Sequence, residues 1–105
     1  MKKFVLFVFF IICSFSNAQA ITAINGAKVT LVEGTYMPDL VSFQLDVGST
    51  TCPAGTNMVW QKTVENNKAI YTLLITALTG GRKINFYIND GDASCKGQFI
   101  HLTNG

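Results

Sequence analysis

Histidine occurs once in the chain, at His101, proline occurs twice, and charged side chains make up only 13% of the residues. This poverty argues against acid–base chemistry, because a single imidazole with no nucleophile or carboxylate placed to work with it makes no triad. His101 is expected on the last strand, facing solvent, since Ile100 and Leu102 alternate to the other side. No His or Cys cluster has the spacing of metal ligands. Asn89, Asp90, Gly91 and Asp92 resemble a fragment of a calcium loop, but the further acidic positions and the bidentate Glu are missing, so they read as a turn. Gly80-Gly81-Arg82-Lys83 follows a helical stretch, whereas a phosphate cradle precedes one. The expectation is therefore a non-enzymatic protein with no catalytic residue, no metal and no cofactor.

What the chain does have begins at its N-terminus. Lys2 and Lys3 precede an apolar run from Phe4 to Phe15, followed by the small and polar Ser16, Asn17, Ala18, Gln19 and Ala20. These are the three parts of a secretory signal. The apolar run of about a dozen residues falls short of the roughly twenty that a permanent span needs. Residues 1–20 are thus expected to be removed, with cleavage after Ala20 preferred and after Ala18 the alternative. Lipidation at Cys13 is disfavoured because Ile12, before it, is not small. The product is expected to be periplasmic or secreted.

Removal of the signal changes two balances. The formal charge of +2 disappears with Lys2 and Lys3, leaving Lys28, Lys62, Lys68, Arg82, Lys83 and Lys96 against Glu33, Asp39, Asp46, Glu65, Asp90 and Asp92. A chain without a basic surplus is a poor partner for nucleic acid or an anionic membrane. Cys13 also leaves, so Cys52 and Cys95 are expected to form one disulfide in an oxidising compartment. A redox role is disfavoured, because the two do not form the closely spaced motif of redox enzymes.

Residues 21–105 contain no repeat, low-complexity tract or linker and read as a single domain. Ala27, Val29 and Leu31 alternate with polar residues, with a tight turn expected at Asn25-Gly26 before them. Val41, Phe43, Leu45 and Val47 form the clearest half-buried strand, and Met58 to Lys62 supply a short third one with Trp60. Ile70, Leu73, Leu74, Ala77 and Leu78 then recur at helical spacing, predicting a helix over Asn66 to Thr79. Asn66 or Asn67 is its expected cap and Gly80-Gly81 its expected end. Lys83 to Asn89 and Gln98 to Thr103 return to strand.

The predicted fold is mainly β with one helix (α+β). The order of elements matches a five-stranded OB-like Greek-key barrel with its helix between strands 3 and 4. An antiparallel sheet with one packed helix is the alternative. On the helix, Lys68, Thr72, Thr76 and Thr79 make a polar stripe only about 80 degrees wide. Ile70, Leu74 and Ala77 can face the core, which leaves Tyr71, Ile75 and Leu78 on one flank and Ala69 and Leu73 on the other. Leu73, Tyr71, Ile75 and Leu78 are therefore the candidate subunit interface of a homo-oligomer, unless strands and loops of the same chain cover them.

Trp60, the helical run Ala69-Ile70-Tyr71-Thr72-Leu73-Leu74-Ile75-Thr76-Ala77-Leu78, Thr79-Gly80-Gly81 and Lys83-Ile84-Asn85-Phe86-Tyr87 together resemble the centre of the B subunits of bacterial AB5 toxins of the subtilase-cytotoxin type. The chain is also similar to small exported bacterial proteins without an assigned activity that carry a Cys, a Trp, such a helix and a later Cys, here Cys52, Trp60 and Cys95. The resemblance spans about a third of the chain and rests on fold-determining residues. It implies an OB-fold, a ring of five subunits with helices towards its axis, and glycan binding. The family's sugar-binding motif finds no match here and the chain is shorter, so no binding residue is carried over. The leading functional expectation is an exported binding module for a glycan or a protein, self-associating through the helix flanks. The runner-up is a monomeric periplasmic inhibitor or accessory protein that presents a loop near Cys52 or Cys95 to an enzyme. A secreted hydrolase ranks third.

Overall fold

The computed structural model describes residues 20–104. The expected signal, apart from Ala20, lies outside the described residues. The chain forms β1 (Ile21–Glu33), β2 (Val41–Leu45), β3 (Met58–Trp60), one helix α1 (Val64–Gly80), β4 (Lys83–Asn89) and β5 (Gly97–Leu102). It is mainly β with one helix, and the helix lies between β3 and β4 in the chain.

The five strands make one antiparallel sheet in the order β3-β2-β1-β4-β5. β1 is the spine. Its first half pairs with β4, from Ile21 opposite Asn89 to Lys28 opposite Lys83, and its second half with β2, from Val29 opposite Leu45 to Glu33 opposite Ser42. The register shifts between Ile24 and Ala27 and again between Val29 and Leu31. Extra residues in one strand of a pair bend it and strengthen its twist, so β1 curls the sheet into a half-barrel. The curl brings the two outer strands together. Val59 in β3 makes a parallel bridge with Lys96, just before β5, and its N–H donates to the Cys95 carbonyl at 3.0 Å.

Asn25-Gly26 is therefore not the turn that its sequence suggests. Gly26 does have a positive φ of 64°, but the chain continues along β4 after it, as a bulge inside β1. An Asn-Gly pair supplies left-handed backbone equally to a hairpin and to a bulge, and only the partner strand distinguishes them.

Alternation along the strands fills the inside of the curl. Ile24, Ala27 and Val29 from β1, Val41, Phe43 and Leu45 from β2, Met58 and Trp60 from β3, and Ile84, Phe86 and Ile88 from β4 are all buried. Phe43 and Phe86 meet edge to face with ring centres 5.0 Å apart, so strands on either side of β1 touch through the core. β5 approaches closely because Gly97 has no side chain. A Cβ there would stand 2.5 Å from the Phe86 ring and 2.6 Å from that of Trp60.

The helix adds Leu74 and Ala77 to this core, with Ile70 half-buried against it, as its periodicity predicts. Its start differs from the sequence expectation. Thr63 is the cap, and its hydroxyl accepts from the Asn66 N–H at 3.2 Å. Asn66 instead accepts from the Trp60 indole at 2.7 Å, which ties β3 to the first turn. Asn67 is wholly buried: its Oδ1 accepts from the Lys62 N–H at 2.8 Å, and its Nδ2 donates to the Pro38 and Asp39 carbonyls, each at 2.9 Å. Both asparagines are taken up by tertiary bonds, and the threonine before them is left to cap. At the other end Gly81, with φ 67°, closes the helix as expected.

Candidate functional site

The outer face of β4 and β5 carries the most conspicuous side chains. Ile84, Phe86 and Ile88 point inward, so Asn85, Tyr87 and Asn89 alternate outward and remain half-buried. Register places Phe99 opposite Tyr87 and His101 opposite Asn85. Phe99 is 57% exposed, the most exposed of the large apolar side chains described, and His101 is exposed beside it. The Tyr87 ring stands between them, edge to face with Phe99 at 6.2 Å and with His101 at 5.2 Å. On the far side, Ala23 of β1 lies opposite Tyr87, and the Asn85 carboxamide reaches back to accept from the Gly26 N–H at 3.0 Å. The result is an aromatic row on a paired, rigid sheet, flanked by the neutral amides of Asn85 and Asn89.

Such a row can stack on a flat apolar surface while the amides and the imidazole exchange hydrogen bonds with polar groups around it. Lys83 alternates to the same side at the start of β4, and the three rings and two amides themselves carry no carboxylate. Sequence alternation already assigns Tyr87 to the outer side of its strand and Phe99 to the side of His101. The β4–β5 register, which puts the three rings together, has no local signal.

A second surface lies where the two cysteines meet. Cys52 and Cys95 form the expected disulfide, with Cα atoms 5.9 Å apart and both residues buried. The bridge joins the loop after β2 to the loop after β4. Ser49 turns the first loop back on itself, its N–H donating to the Cys52 carbonyl at 2.9 Å and its hydroxyl accepting from the Cys52 N–H at 3.1 Å. Thr50, Thr51, Pro53 and Ala54 are left exposed around the buried Cys52. Asp92 organises the second loop. Its carboxylate accepts from the Ser94 hydroxyl at 2.5 Å, the Ser94 N–H at 2.9 Å and the Lys96 N–H at 3.3 Å. These donors, the Ser94 hydroxyl first, hold the Asp92 carboxyl below its ordinary pKa. Asp90, in the same turn, bonds the Thr22 hydroxyl at the start of β1. The Asn89–Asp92 segment thus behaves as a turn tied by its own carboxylates.

The helix residues nominated as an interface divide. Tyr71 and Leu73 pack half-buried against the core, and the Tyr71 hydroxyl lies above Gly34 in the β1–β2 connection. Ile75 is half-buried, and Leu78, near the C-terminal end, is 38% exposed. The chain therefore covers part of both flanks and leaves the Ile75–Leu78 side most open.

Among the described residues, no group of three or more His, Cys, Asp or Glu side chains is placed to hold a metal ion, and no helix is long and apolar enough to cross a membrane. No protein-family model, curated protein or solved structure matches the chain.

Proposed function

We propose that this chain is an exported, non-enzymatic binding module with an OB-type barrel, which recognises a glycan or a protein through the outer face of β4 and β5. The observation that carries the reading is the aromatic row of Tyr87, Phe99 and His101. A phenylalanine held largely in solvent on a rigid strand does nothing for the core, yet it preorganises apolar area for a ligand. Sugar rings present flat C–H faces to such rings and hydroxyls to the amides beside them. A protein partner would use the same rings as buried anchors.

Support for the OB-type barrel comes from the strand order, the helix between β3 and β4, and the parallel contact of Val59 with Lys96 that draws the ends of the sheet together. Support for export comes from the signal-like residues 1–20 and the disulfide.

Phe99→Ala separates recognition from stability. Its cost in urea unfolding is expected to stay within about 0.5 kcal/mol, as for an exposed position. Binding of the oxidised protein to an array of neutral and acidic oligosaccharides, or to a protein captured by crosslinking from position 99, is expected to fall about tenfold or more. Equal binding by the variant and the parent would refute the assignment of this face.

Self-association is the second part of the reading, and it rests on the Ile75–Leu78 side of the helix. Light scattering at micromolar concentration is expected to give a mass above that of one chain, reduced by Ile75→Asp. A strict monomer indifferent to that change would remove the assembly and leave the binding face standing.

One observation favours the alternative of a monomeric inhibitor: the bridged loop displays Thr50, Thr51, Pro53 and Ala54 on a backbone fixed at Cys52. That reading expects a covered helix, and the exposure of Leu78 weighs against it.

A further inference from the structure

We infer that Asn25-Gly26 is a latent self-modification site, at which the chain deamidates through a succinimide at a rate restrained by Asn85. Asn25 is exposed, and no atom would crowd even a side chain at Gly26, so the carboxamide can be approached and water can reach it. The reaction needs the Gly26 nitrogen as nucleophile. That nitrogen gives up its proton and bonds to Cγ of Asn25, closing a five-membered imide. The side-chain amide nitrogen takes a proton and leaves as ammonia. Water then adds to one of the two imide carbonyls and breaks its C–N bond, giving an aspartyl or an isoaspartyl linkage at position 25.

In this fold the Gly26 N–H is engaged, donating to Asn85 Oδ1 at 3.0 Å. That bond stabilises the protonated amide and aims its hydrogen at β4. Pairing of Ile24 with Phe86 and of Ala27 with Ile84 holds the bulge on both sides. Sequence marks the site through its Asn-Gly step, and the structure supplies the restraint.

The product changes local charge. Asn85 is the cross-strand partner of His101, so a carboxylate at position 25 arises beside a row that carries no carboxylate of its own. This consequence, unlike the reaction, rests on the binding face proposed above.

The test incubates the oxidised protein of residues 21–105 at mildly alkaline pH. Mass spectrometry then follows acid and isoaspartate formation in the tryptic peptide ending at Lys28, beside a free peptide of sequence Ile21 to Lys28. The folded protein is expected to react more slowly than the peptide. Asn85→Ala is expected to accelerate Asn25 about fivefold, the factor that one ordinary net hydrogen bond represents. Asn85→Asp, which keeps an acceptor, is expected to stay slow, and Thr63→Ala, which loosens the helix cap far from Gly26, is expected to match the parent. Equal rates in protein and peptide, no acceleration in Asn85→Ala, or the same acceleration in Thr63→Ala would each overturn the proposal. Loss of oligosaccharide binding by Phe99→Ala tests the face separately and does not enter this outcome.

Discussion

Replacing Cys52 and Cys95 together by alanine is expected to lower the free energy of unfolding by about 4 kcal/mol. The bridge closes a loop of 43 residues, and the loop-entropy relation gives that figure for a chain so constrained. The domain is small, and a total of about 5–15 kcal/mol is usual, so the change removes a large share of its stability. Geometry adds a local reason. The bridge holds the loop after β2 against the loop after β4, where β3 and β5 meet by the Val59–Cys95 backbone bond and the Val59–Lys96 bridge. Without the covalent link these few contacts have to close the half-barrel alone. Urea unfolding of the oxidised parent and the double variant measures the difference. A loss below about 1 kcal/mol, the size of one hydrogen bond, would mean that the sheet closes without help from the disulfide.

The second large effect is expected from a single amide. Asn67→Ala strands the Lys62 N–H and the carbonyls of Pro38 and Asp39, three backbone groups that now share one buried side chain. Each of these part-buried bonds contributes about 1 kcal/mol net, so a loss of about 3 kcal/mol is expected. Asn66→Ala is the control. Asn66 is exposed and loses only its bond from the Trp60 indole, so about 1 kcal/mol is expected. The comparison sets three bonds of a buried amide against the single bond of an exposed neighbour of the same residue type. Equal losses in guanidine unfolding would show that Asn67 does not anchor the helix to the β1–β2 connection.

These two residues also mark how far local reading reaches. Both look like helix caps in sequence, since asparagine is a good cap and the apolar period begins just after them. Neither caps. Thr63 does, because Asn66 is drawn to Trp60, 6 positions back, and Asn67 to the segment around Pro38, 29 positions back, and capping preference says nothing of either contact. Asn25-Gly26 fails for the same reason. Its backbone preference is right, but whether it reverses the chain or bulges it depends on β4. By contrast, Lys83–Asn89 has the expected bounds, because a period of two through Ile84, Phe86 and Ile88 leaves no competing assignment. The helix covers its expected span with small extensions at both ends, and the disulfide follows from there being two cysteines once Cys13 is set aside.

The aromatic row sits between these cases. Alternation puts Tyr87 outward on β4 and Phe99 with His101 on one side of β5, but their meeting depends on the register between strands separated by a turn. A slip of one residue would turn one strand's outward side chains inward.

Sequence alone determined the kinds of element, their order, the helix face that meets the core and the cysteine pair, because each follows from short-range period or from counting. Tertiary structure decided which polar side chain caps and which is buried, that Asn-Gly bends a strand and does not end it, and that three rings share one outer face. Those outcomes depend on contacts between side chains and strands that come together only in the fold, most of them from segments distant in the chain.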